Sequence, residues 1–278
     1  MTCKVCGLDV RPHERFCVGC QTDCEFPNVR AAEQYEEEQA LAARVDEAEA
    51  TASENGTLGL LARFRKAVRS SRAARARSID EVYGLVKGDN KLLGTFHDLK
   101  GAGLLRPSAT DIEAARQSAE PLVLLNYHEK IQFAALTLDD RGLFTYGNCV
   151  MIFKEASIGN RSTVFEENCV FFCRRRNLGP ANSKIPPGVR STWEWREELA
   201  VAKLGARLRP EMSESDFATL LLSSGKDSAG DEFIEVHVYE RLHRSALDYV
   251  VVKPMRQSDA VLVTEMQAIL GQGNVRTA

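Results

Sequence analysis

The chain has no apolar run near the roughly 20 residues a membrane helix needs, so no segment reads as a membrane span. Its opening, Met1-Thr2-Cys3-Lys4, lacks the apolar stretch of a signal segment, which leads to the expectation of a cytoplasmic protein. Charge of one sign is not in excess: 36 basic residues face 39 acidic ones, a net charge of -3 that gives no whole-chain reason to expect nucleic acid. Aromatics are sparse at 7%, and only Phe64 and Tyr83 interrupt the most basic stretch, so a base-stacking platform is not indicated there. No glycine-rich dinucleotide fingerprint is present, so nothing in the chain points to a dinucleotide held on a Rossmann fold. With 278 residues, 44% hydrophobic and 27% charged, the composition nevertheless suits a soluble globular protein of one large domain or two smaller ones.

Cysteine is what the chain has in one place. Five of its eight cysteines fall within the first 24 residues, and Cys3-x-x-Cys6 and Cys17-x-x-Cys20 form two knuckles separated by ten residues. In a reducing compartment this spacing reads as four thiolates around a structural Zn2+, with Gly7 and Gly19 relieving backbone crowding. Four cysteine ligands leave no position for substrate, so the metal is expected to hold a fold rather than perform chemistry. Cys24 and His13 are spare donors, and Cys24 is read as a bystander. Cys149, Cys169 and Cys173 lack ligand spacing and are read as small core residues.

Residues 27–87 read as a charged helical connector. Residues 30–52 contain Glu33, Glu36, Glu37, Glu38, Asp46, Glu47 and Glu49 with no glycine or proline, an acidic helix closed by Asn55-Gly56. Residues 58–79 carry Arg63, Arg65, Lys66, Arg69, Arg72, Arg75 and Arg77, predicting a basic helix. The pair forms either a self-neutralising hairpin or a basic face for nucleic acid or an acidic partner.

From about residue 88 onward the texture is short β-type runs, at 92–96, 122–127, 144–153, 163–172, 233–239 and 249–252. Helical patterns lie at 111–119, 193–207 and 259–270, with a short helix after Ser213. The absence of regular alternation predicts an α+β domain: a zinc ribbon at 1–26, a connector at 27–87 and a mixed α+β domain at 88–278.

The run from Asp139 to Lys154, containing Tyr146-Gly147, and Asn160-Arg161-Ser162-Thr163-Val164-Phe165-Glu166-Glu167-Asn168 resemble segments of ADP-ribosyltransferase-like bacterial proteins. Glu232-Phe233-Ile234-Glu235-Val236-His237-Val238-Tyr239 is similar to their closing strand, and Leu124 to His128 to a weaker third segment. The resemblance implies transfer of ADP-ribose from NAD+ to a macromolecular acceptor, nucleic acid or protein, by a toxin or defence effector; an intracellular effector without an export signal is in turn expected to be restrained by an inhibitory partner, for which the acidic stretch Glu33 to Glu49 offers a contact surface. It implies Glu235, Arg161 and His128 as catalytic residues, the carboxylate stabilising the oxocarbenium-like state as nicotinamide leaves. Tyr127, Ser162, Thr163, His97 and Tyr146 are implied around NAD+, with His97 a second candidate for the histidine role. Phe233, where arginine-specific members have Glu or Gln, points away from arginine as acceptor, and Glu240 replaces a usual glycine. The rival reading is a non-enzymatic zinc-ribbon adaptor, its β-rich domain a nucleic-acid- or protein-binding scaffold.

Overall fold

The computed structural model describes residues 1–103, 111–227 and 229–278. After the cysteine-rich module come α1 (Pro27–Ala32), α2 (Tyr35–Glu54) and α3 (Leu58–Arg69), then strand β1 (Arg72–Arg77) and α4 (Ile79–Lys87). A short strand β2 (Leu92–Leu93) leads into α5 (Phe96–Gly101), α6 (Asp111–Leu124), β3 (Ile131–Thr137), β4 (Cys149–Phe153), α7 (Glu155–Ile158), β5 (Ser162–Phe165) and α8 (Cys169–Arg175). The chain continues through β6 (Arg190–Thr192), α9 (Arg196–Leu204), α10 (Phe217–Leu221), β7 (Glu235–Tyr239), β8 (Leu242–His243), β9 (Leu247–Val252), α11 (Asp259–Leu270) and β10 (Val275–Thr277). The result is a mixed α+β fold with a four-cysteine cluster near its N-terminus. No helix among the described residues is long and apolar enough to cross a membrane.

Among the described residues, eight strands form one sheet in the order β10-β9-β4-β1-β3-β7-β5-β6, antiparallel except for β10 on β9, and β2 pairs with β8 in a separate ribbon. One face carries the main core. There Leu136, Met151, Val236 and Val250 meet the apolar stripes of α2 (Leu41, Val45, Ala48, Ala52) and α3 (Leu60, Leu61, Phe64, Val68), together with α4, α9 and α11. The spacing of three, four and seven residues along α2 puts its buried positions on one side, which is why so acidic a helix still has a core face. A second core lies across β3, β5 and β7, where Tyr127, Phe165, Phe172 and Tyr239 are enclosed with residues of α6 and α8.

Several expectations change. The basic helix ends at Arg69, and Arg72–Arg77 becomes a central strand between β4 and β3. Residues 27–87 are therefore not a detached connector: α2, α3 and β1 are built into the domain, because their apolar positions complete its core. Residues 122–127 finish a helix and enter a 3-10 turn rather than a strand. Strand 163–172 stops at Phe165, since the Asn168 side chain accepts from Val170 N–H and starts α8. At 92–96 the strand is only Leu92–Leu93, because Thr95 and Asp98 form a capping box that opens α5. At 144–153, a 3-10 turn and Gly147 precede β4, where a Cβ on Gly147 would lie 2.1 Å from the Arg77 carbonyl carbon. Helix 259–270 forms over the residues its pattern indicates.

Candidate functional site

The cysteine module consists of two matching knuckles. In the first, Cys3 N–H donates to Leu8 O and Gly7 N–H to Cys3 O; in the second, Cys17 N–H donates to Thr22 O and Gln21 N–H to Cys17 O. Gly7 and Gln21, each directly after its second cysteine, both have positive φ. The tight turns point sulfurs inward: Sγ of Cys3 lies 3.5 Å from that of Cys20, and Cys6 3.4 Å from Cys17. All four Sγ atoms lie within 4.8 Å of one another, close enough to hold one metal ion, and four thiols are compatible with structural zinc, for which tetrahedral sulfurs are about 3.8 Å apart. Backbone N–H groups of Cys6 and Val5 lower the Cys3 thiol to about 6, whereas at Cys6 the lowering by the Leu8 N–H is outweighed by the neighbouring thiols of Cys17 and Cys20, which push it up to about 12, the opposed shifts of four thiols crowded at one point. Cys24 stays outside the four, its thiol 3.5 Å from Thr22 O and raised by burial.

Arg30 of α1 seats this module on the domain. Its buried guanidinium donates through Nη1 to Cys24 O (2.6 Å) and Glu25 O (3.3 Å), and through Nη2 to Glu14 O (2.7 Å), Pro12 O (3.2 Å) and Arg11 O (3.3 Å). Two residues earlier on the same helix, Asn28 Nδ2 donates to the backbone carbonyls of Arg161 and His237, 3.0 Å each. One turn of helix thus bridges the cysteine module and strand β7.

The chemistry-bearing cleft opens where β1 and β3 separate. Their register runs from Arg72↔Thr137 only to Ala74↔Ala135, whereas β1 stays paired with β4 to Arg77↔Cys149. Residues Ala74 to Arg77 and Phe133 to Ala135 line the fork, with Phe96, Arg116, Leu143, Tyr146, Asn168, Phe233 and Glu235 around it. Its volume is about 80 Å3. Arg75 is buried, and burial together with the nearby positive charge of Arg77 and Arg116 drives its guanidinium well below its ordinary value. Burial lowers Arg77 in the same way. Arg75 Nη1 and Arg77 Nε have no hydrogen-bond partner among the described residues, so the lining carries unused donors suited to an anion. Arg116 lies over the rings of Phe96 and Phe133 and pairs with Glu120, which also bonds His97 Nε2 at 2.8 Å. Burial would raise Glu120, but the His97 and Arg116 contacts outweigh it and its carboxyl sits below its ordinary value.

Glu235 reaches the cleft from β7, where it faces Ala135 on one side and Phe165 on the other. Its Oε1 accepts from Asn168 Nδ2 (3.1 Å); its Oε2 accepts from Cys169 N–H (3.2 Å) and Cys169 Sγ (3.2 Å) and lies 2.9 Å from His237 Nε2. His237 is stacked on Phe165 and edge-on to Phe133.

Of the residues named from sequence, Glu235 and Tyr146 line this cleft. Arg161 is half-buried at the start of β5, donating to Ser157 O and Tyr239 O, beside the far end of β7. His128 bonds the carbonyl of Leu125 and meets the His97 ring edge-on at 5.0 Å. Tyr127 is buried near Tyr239, its hydroxyl pushed up to about 12 by burial. Thr163 lies opposite His237, and Ser162 opposite Val238 with its hydroxyl unpartnered among the described residues. The consecutive Arg174, Arg175 and Arg176 span the last turn of α8 and its C-cap, where Arg175 and Arg176 pair with Glu166.

Sequence reasoning missed His237, Asn168, Arg75, Arg77 and Arg116, and read Cys169 only as core. The pattern Glu235-x-His237 places both on one face of a strand and could have flagged the histidine. Arg75 and Arg77 also alternate, but a helix reading hid the period. No protein-family model and no curated protein matches the chain.

Proposed function

We propose that the cleft binds NAD+ and that the chain is an ADP-ribosyltransferase-like enzyme, passing ADP-ribose to a macromolecular acceptor, nucleic acid or protein, as a toxin or defence effector. The observation that carries this reading is one cleft holding arginine donors without partners and a carboxylate anchored from behind by Asn168 and Cys169. Arg75, Arg77 and Arg116 suit phosphates, and Phe96, Phe133 and Tyr146 offer faces for a planar ring. Glu235 would stabilise the positive charge that develops on the ribose as nicotinamide departs. A volume of about 80 Å3 accommodates one ring or phosphate, so the rest of a dinucleotide lies along the open mouth. The four-cysteine module holds structural zinc, and the acidic α2 offers a face to an inhibitory partner.

The test is nicotinamide release from NAD+ by protein carrying one zinc ion per chain, wild type against Glu235→Gln, with RNA, DNA and protein offered as acceptors. Release that falls at least about 100-fold in the variant supports the reading, and the acceptor that stimulates it names the target class. Absence of release from folded protein favours the adaptor, which the full engagement of Glu235 by its neighbours also fits.

A further inference from the structure

Cys169, Glu235 and His237 bring a thiol, a carboxylate and an imidazole to one buried point, within 4.8 Å of one another. The separations are 3.2 Å from Sγ to Glu235 Oε2, 3.6 Å from Sγ to His237 Nε2, and 2.9 Å from Nε2 to Oε2. Around a tetrahedral zinc-sized ion with bonds of about 2.0 Å to N and O and 2.3 Å to S, such atoms lie roughly 3.3 to 3.5 Å apart. The observed triangle is thus near the required size, and a small expansion makes room for the ion.

We infer that this triad is a second metal site, taking one divalent transition-metal ion of the zinc or cobalt class. A thiolate and a carboxylate neutralise the dication, which suits a buried position, and the soft–hard mixture of donors favours zinc over magnesium or calcium. Asn168 Nδ2 already bonds the other oxygen, Glu235 Oε1, as an outer partner that orients a ligating carboxylate. Phe165 and Phe133 fix the imidazole plane. Glu235 faces the cleft, so three protein ligands leave a fourth position reachable by water or a small ligand, unlike the closed four-cysteine module. An ion there occupies Glu235 Oε2 and withdraws that oxygen from any other chemistry. Metal binding itself does not rest on the reaction proposed above.

The experiment is titration of the full, metal-stripped chain with Co2+, read by bound metal per chain and by thiolate-to-cobalt absorbance. Two ions per chain are expected, with the second equivalent adding to the thiolate band. Cys169→Ser and His237→Asn should each bind one ion while keeping the four-cysteine spectrum. Saturation of wild type at one ion overturns the inference, whether or not the variants fold. So does a second ion that adds no thiolate absorbance, which would place it at the sulfur-free group His97, His128 and Glu129.

Discussion

Arg30→Ala removes the contact that seats the cysteine module on the domain. Its two short bonds, the buried one to Cys24 O and the part-buried one to Glu14 O, are charge-assisted, each worth about 1.5 to 3 kcal/mol, and the three longer ones add less. Allowing for water reaching the freed carbonyls, the module should lose about 3 kcal/mol of docking free energy. That converts to an approximately 100-fold larger population of the undocked state, while the cysteine knuckles and the sheet both stay folded. The sensitive reporter is cleavage after Glu25 by a glutamate-specific protease, because the Glu25 carbonyl is one of the five acceptors. When opening is fast compared with cleavage, the rate follows that population and should rise about 100-fold, with Arg30→Lys intermediate. A change below about threefold, with metal still bound, would refute the claim that this guanidinium seats the module.

Phe64 is fully buried and meets Phe217 edge-on at 5.3 Å, so Phe64→Ala should cost about 4 kcal/mol in urea unfolding; a loss under about 1 kcal/mol would mean that α3 is not part of the core. Lys203 is held down to about 8 by burial, partly offset by Glu167, Glu166 and Glu232, from an ordinary 10.5. Between those values the unfolded chain binds more protons than the folded one, so the lysine's penalty, roughly 3 kcal/mol, is complete below pH 8 and fades as pH rises towards 10.5. Relative to Lys203→Met, the wild type should therefore gain stability over that window, and a pH-independent difference between the two would contradict the burial argument.

Much of the local structure was legible because its causes are local. Two cysteine pairs of C-x-x-C spacing close their own tight turns here through bonds between residues five or fewer apart, and the pattern at 259–270 needs only its own residues to favour a helix. The acidic composition of 30–52 likewise marked most of α2. Short-range reading failed where a neighbour far along the chain set the outcome. Residues 72–77 read Arg-Ala-Ala-Arg-Ala-Arg, and basic composition favoured continuing α3; pairing with β4 and β3 on either side made them a strand instead.

The N-terminal spacing alone implied a closed four-sulfur metal site, and the short runs between turns implied an α+β domain. Both follow from distances of a few residues, which the covalent chain imposes. The cleft has no such signature. Arg75, Arg116, Asn168 and Glu235 are spread over 160 positions and meet only because β1 lies inside the sheet and its pairing with β3 breaks off at Ala74. Cys169 and His237 join Glu235 because β5 pairs with β7 and Asn168, just beyond the end of β5, caps α8 so that its first residue, Cys169, meets Glu235. Strand order and the point where a pairing ends depend on the packing of the whole core, and that sum over distant contacts has no local pattern to mark it.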